Sequence, residues 1–147
     1  MKILLTLTML ISSVITYGQT ERTHKIDNEL QNCLDSSENY TTKGMTDCVS
    51  MATEKWDAEF IIKYNQLIDL LTAEQKEKLK IAQREWIEYR DKEIDFSNQL
   101  YYDMQGTMWI PVAAQTKLQL TRQRTFELED YISNLTIDKL WNRNRHQ

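Results

Sequence analysis

Residues that break helices are scarce here: 147 residues hold 3 glycines and one proline. With so little punctuation, long stretches keep an uninterrupted helical period. Histidine is equally sparse, and His24 and His146 lie near opposite ends. Two cysteines and two distant histidines exclude the usual zinc spacings. The signatures expected of common hydrolases and metal enzymes are missing as well. There is no internal repeat, low-complexity tract or Pro/Ser-rich linker. An all-α chain with neither cofactor nor metal is the reading these absences leave.

Acid outweighs base, with 22 Asp and Glu against 18 Lys and Arg. That sign argues against nucleic acid as a partner, because binding to phosphates draws on a basic surface. It suits a cationic partner, although modest acidity also serves solubility. The first residues are different in kind. Lys2 precedes an apolar run from Ile3 to Ile15, and small or polar residues follow up to Gly18. This is the pattern of a secretory signal peptide, and it is too short for a stable membrane span. The sequence thus predicts a leader over 1–18 and one helical domain over 19–147, in a periplasmic or secreted protein. An oxidising compartment favours a Cys33–Cys48 disulfide. Closing that loop would stabilise the fold by about 3 kcal/mol in the chain-entropy view.

Four helices can be placed from the periodicity. Ile26, Leu30, Cys33 and Leu34 define a short first helix that ends before Asp35. The second begins after Thr41-Thr42 and runs to about Leu71, with Met45, Val49, Ala52, Trp56, Phe60, Tyr64, Leu67 and Leu71 on one face. Thr72-Ala73-Glu74-Gln75 is a capping-box pattern that starts a third helix. This third helix reaches roughly Met104, with Gly106 as its cap. Pro111 suits the first turn of a fourth helix, whose inward face holds Ala114, Thr121, Thr125, Leu128, Ile132 and Leu135. The predicted architecture is a short N-terminal helix plus three longer antiparallel helices, stapled by one disulfide. The core spans roughly 26–135, and the tail over 136–147 frays.

The third helix is unusual in its inward stripe, where Gln83, Trp86, Arg90 and Glu93 stand among the apolar positions. A buried charge costs several kcal/mol unless it is paired, so partners are expected on neighbouring helices. Matching levels along a hairpin about residue 72 pairs Arg90 with Asp57. Matching about residue 108 pairs Glu93 with Arg124, and Thr121 and Thr125 can then hydrogen-bond to Gln83 or Arg90. Asp91 completes this structural polar layer. Met108-Trp109-Ile110, in the connection before the last helix, is the candidate partner contact.

The run Cys48, Ala52, Trp56-Asp57, Phe60, Tyr64, Leu67, then Ala82-Gln83, Trp86, Arg90-Asp91, then Thr121, Arg124-Thr125, Leu128 resembles the lysozyme inhibitor LprI-like N-terminal domain family. The resemblance covers roughly residues 30 to 135. It implies a small, exported, helical, disulfide-bearing protein, some of whose relatives inhibit lysozyme. Many members carry a second cysteine pair around the last connection, which this chain lacks, and many have Leu-Asn where Phe60-Ile61 stands. The reading from sequence is therefore an exported non-enzymatic binding module directed at a cationic cell-wall hydrolase such as lysozyme. Its rival is an envelope structural or protein-interaction module without inhibitory activity.

Overall fold

The structure, a computed structural model, describes residues 22–145. The leader expected over 1–18 and His146 lie outside the described residues. Four α-helices follow in order: α1 Lys25–Leu34, α2 Thr42–Leu70, α3 Ala73–Asp103 and α4 Trp109–Arg145, with a short 3-10 turn Ser37–Asn39 after α1. Helix α4 runs straight through the segment where fraying is expected.

Local chemistry sets the boundaries. Thr72 accepts from the Gln75 N–H at 3.4 Å while the Gln75 side chain accepts from the Thr72 N–H at 2.9 Å, the reciprocal box that the sequence predicts. The Thr41 hydroxyl accepts from the Gly44 N–H at 3.0 Å and opens α2. Gly44 is required there, because a Cβ would meet the Asn39 Cα at 2.6 Å. Helix α1 is capped by a histidine: His24 Nδ1 accepts from the Ile26 N–H at 3.3 Å, and the Asp27 carboxylate accepts from the His24 N–H at 3.0 Å. Gly106, with φ 110°, sits in the turn after α3, while Met104 is the residue that ends the helix. The Cys33–Cys48 disulfide joins α1 to α2 across a Cα separation of 5.8 Å.

Helix α4 is the centre of the bundle. It packs most extensively on α2 and next on α3, while α1 covers α2. Pairs Lys117–Asp57 and Lys63–Glu129 ascend together, so α2 and α4 run parallel. Pairs Ser97–Thr116 and Arg124–Gln83 run in opposite senses, so α3 is antiparallel to α4. The backbones of α2 and α3 hardly approach each other away from their shared turn. Long side chains bridge them, Phe60 stacking on Trp86 with ring centroids 5.6 Å apart.

The apolar core lies on the α1/α2 side of α4. Ile26, Val49, Ala52, Trp56 and Leu118 form it, with Leu30, Ala114 and Phe126 packed against them. Trp56 is fully buried, between His24 at 4.8 Å and Phe126 at 5.3 Å. Arg122 closes this side by donating to both oxygens of Asp27, at 2.9 and 3.0 Å. Helix α3 contributes no buried apolar residue; its buried residues are Gln83 and Ser97.

Candidate functional site

Two regions combine residues that the sequence singles out. The first is a seam between α3 and α4 centred on Trp86. Its indole stacks on Phe60, and two guanidinium carbons lie near its ring, Arg90 at 5.4 Å and Arg124 at 5.9 Å. A half-buried indole between two cations gains from the ring quadrupole. Arg124 also donates to Gln83 Oε1 at 3.3 Å and to Glu127 at 2.8 Å. The Gln83 amide nitrogen is buried without a hydrogen-bond acceptor.

The expected pairings are redistributed. Arg90 does not reach Asp57; both its Nε and a terminal nitrogen donate to neighbouring Asp91, at 2.9 and 2.7 Å. Asp57 instead accepts from Lys117 at 2.8 Å and from Thr121 at 3.4 Å. Glu93 is half-buried and does not pair with Arg124. Thr125 turns its hydroxyl onto the Thr121 carbonyl of its own helix at 2.8 Å, so it meets neither Gln83 nor Arg90. The cause is the position of α4. A hairpin argument treats α2 and α3 as nearest neighbours, whereas α4 lies against both and takes Asp57. Lys117 was missing from the sequence reading for this reason, since nothing on α2 announces a lysine 60 residues later. For Glu93 the cause is register: Ser97 meets Thr116 and Gln83 meets Arg124, which places Arg124 ten residues along α3 from Glu93.

The second region is an open groove of about 460 Å³ where α2 begins, α3 ends and α4 starts. Along the middle of the bundle, Phe60 and Trp86 fill the gap between α2 and α3. At this end α4 sets Trp109 and Ile110 in its first turn and then only the small Ala113 and Ala114, and the gap stays open. Tyr101 stacks on Trp109 at 5.7 Å with planes 18° apart, making one wall. Tyr102, Met104 and Ile110 make much of the rest. Met108 and Ile110 are 62% and 52% exposed at the tip, whereas Trp109 is half-buried. No charged residue occurs from Met104 to Thr116. The Thr42 and Thr107 hydroxyls, 3.3 Å apart, tie the tip to the start of α2. Tyr101, Tyr102 and Met104 escaped the sequence reading. The signal for them was an aromatic pair running into an uncharged connection.

Chemically, the seam offers hydrogen bonds and cation–ring contacts between α3 and α4, and the groove offers apolar surface. Among the described residues, no group of three or more His, Cys, Asp or Glu is placed to hold a metal. No helix among them is long and apolar enough to cross a membrane.

Comparison with known proteins adds the family. The family model described as lysozyme inhibitor LprI matches residues 33–128. The chain belongs to this family. The LprI match begins at Cys33 and ends at Leu128, so it takes in both disulfide cysteines, the Trp86 seam and the aromatic groove. The fold also resembles the crystal structure of an uncharacterized protein from Burkholderia thailandensis, with a TM-score of 0.71 and 25% identity. That likeness covers 78% of this chain but 56% of the other, so this LprI-family chain spans little more than half of it. No curated protein matches.

Proposed function

We propose that the chain is an exported, non-enzymatic binding module that inhibits a cationic cell-wall hydrolase of the lysozyme type. The observation that carries this reading is the LprI family match over 33–128, which encloses the groove and its tip. Three features support it. The disulfide suits an oxidising compartment outside the cytoplasm. Excess acid favours encounter with a basic enzyme through electrostatic steering. The exposed Met108 and Ile110, braced by half-buried Trp109 on Tyr101, offer uncharged surface for burial against a partner.

The test is bacterial cell-wall turbidity clearing by a basic lysozyme, with purified protein titrated at low and physiological salt. Wild type should slow clearing, more strongly at low salt. Trp109→Ala should weaken inhibition by about tenfold if the tip is a binding anchor. No inhibition at large excess in either buffer would dismiss the reading.

One feature favours a second reading, an envelope interaction module without inhibitory activity. The last turns of α4 carry Ile137, Leu140 and Trp141 at 63%, 49% and 66% exposure. An apolar stripe of that kind marks a contact surface away from the groove.

A further inference from the structure

One flank of α3 carries an exposed aromatic stripe that the fold does not use. Tyr89, Phe96 and Leu100 are 52%, 62% and 41% exposed. They are spaced seven and four residues apart, so they share one face of the helix. This face is distinct from the one that meets α4, where Gln83, Trp86, Arg90 and Ser97 lie. Tyr89 marks the boundary, because it lines a small cleft with Leu120, Gln123 and Glu127 of α4. Large apolar side chains left in water at helical spacing point to a docking surface.

Charge specifies the occupant. Glu85, Glu93 and Asp103 fall on the same flank, interleaved with the aromatic stripe in steps of three and four residues. From Glu85 to Asp103 there are six acids and two bases, Arg90 and Lys92. Arg90 is turned away, over Trp86 and onto Asp91. Lys92, three residues after Tyr89 and four before Phe96, borders the flank on its Glu85 side, where Glu85 lies 3.6 Å from Arg84, so the flank itself sets three acids against one base. Glu93 makes no ion pair within the described residues. Such a surface fits lysine and arginine side chains, whose aliphatic stems can cover a ring while the head group reaches a carboxylate.

We propose that this flank of α3 is a docking face for a cationic protein surface that presents basic side chains about 10 Å apart. The spacing follows from the seven-residue separation of Tyr89 and Phe96 at ~1.5 Å per residue. The proposal deepens the hydrolase reading, on which it rests for the partner's identity: the groove tip would supply the inhibitory contact, and the α3 flank would supply affinity for the partner's basic face.

The experiment measures binding to a basic lysozyme and, separately, to an immobilised lysine- and arginine-rich peptide. It compares wild type with Tyr89→Ser/Phe96→Ser, with Glu85→Gln/Glu93→Gln/Asp103→Asn, and with Trp109→Ala. Circular dichroism and thermal midpoints of all four chains check folding, above all for the half-buried Glu93 and Trp109, since substitutions at the exposed Glu85, Tyr89, Phe96 and Asp103 are usually tolerated. Both flank variants should bind lysozyme and peptide about tenfold more weakly, and the charge variant should also lose most of its salt dependence. Trp109→Ala should bind the peptide like wild type. If wild type inhibits lysozyme and the flank variants bind and inhibit equally well, the flank proposal fails while the functional reading stands. If wild type does not inhibit, that reading fails, and flank-dependent peptide binding decides for the docking face. Peptide binding that is absent, or indifferent to the flank variants, overturns it.

Discussion

Helix α4 has two unlike neighbours, and the contrast separates what stabilises this fold from what specifies it. Toward α1 and α2 it meets an apolar core around the fully buried Trp56, reinforced by the disulfide and by Arg122 on Asp27. Toward α3 it meets a seam of half-buried aromatics, guanidinium groups and amides in which α3 buries only Gln83 and Ser97. Removing apolar surface from water contributes about 25 cal/mol per Å². Polar contacts of the kind seen in the seam contribute about 1 kcal/mol net each, since water competes for the same groups. The α1/α2/α4 side is therefore the stable unit, and α3 is held by geometry and matching more than by burial. A helix secured in that way belongs to the low-stability end of the native state.

Two tryptophans make this contrast measurable. Trp56→Ala removes a ring packed against His24 and Phe126 and leaves a closed cavity, at a cost of about 3–5 kcal/mol. Trp86→Ala removes a stack on Phe60 and two cation contacts at a partly exposed site. Its expected cost is about 1–2 kcal/mol. Equilibrium denaturation of both variants gives the two values directly. Equal losses would mean that the seam is as much a core as the Trp56 cluster, and the division into two regions would collapse.

Gln83 sharpens the comparison further. Its carbonyl oxygen accepts a long hydrogen bond from Arg124, while its amide nitrogen is buried without an acceptor. Gln83→Met loses the first contribution and relieves the second, and Arg124 keeps Glu127 as a partner. Stability should stay within about 1 kcal/mol of wild type. A loss above ~2 kcal/mol in the denaturation midpoint would show instead that the amide anchors α3 energetically.

How much of this was legible in the sequence depends on range. The starts of α2 and α3 were, because Thr41 and Thr72 with Gln75 are local signals that act within one turn; α4 instead begins at Trp109, inside the segment read as a connection, and continues to Arg145 where fraying is expected. The disulfide and the apolar face of α2 were legible too, the first from compartment chemistry and the second from periodicity. Partners of the polar layer were not. Asp57 was matched to Arg90 at a plausible level, but a level says nothing about which of two neighbours faces the residue, and Lys117 of α4 took it. The His24 cap was missed because imidazole is an uncommon helix cap beside Ser, Thr, Asp and Asn. The groove was half visible. Met108-Trp109-Ile110 marked its tip, but its volume comes from what Ala113 and Ala114 fail to fill, a property of packed helices rather than of a motif.

A small effect that depends on pH lies where α2 and α4 are clipped by charge. Lys63 stands between Glu59 at 3.4 Å and Glu129 at 3.2 Å, with 20% of its side chain exposed. Partial burial disfavours its ammonium, but the hydrogen bonds and charges of Glu129 and Glu59 outweigh that and hold its pKa above the usual lysine value. Because the folded value lies above the unfolded one near ~10.4, the stabilisation is fully present below that pH and is lost as pH rises through the folded value. Lys63→Met should accordingly lower stability by about 0.5–1 kcal/mol at pH 7. The gap to wild type should narrow above pH ~10.5. Thermal midpoints of both chains from pH 7 to strongly alkaline buffer follow it. A gap that stays constant across that range would mean that Lys63 acts through its packed aliphatic stem, and that the α2/α4 contact is held by apolar burial even at its charged edge.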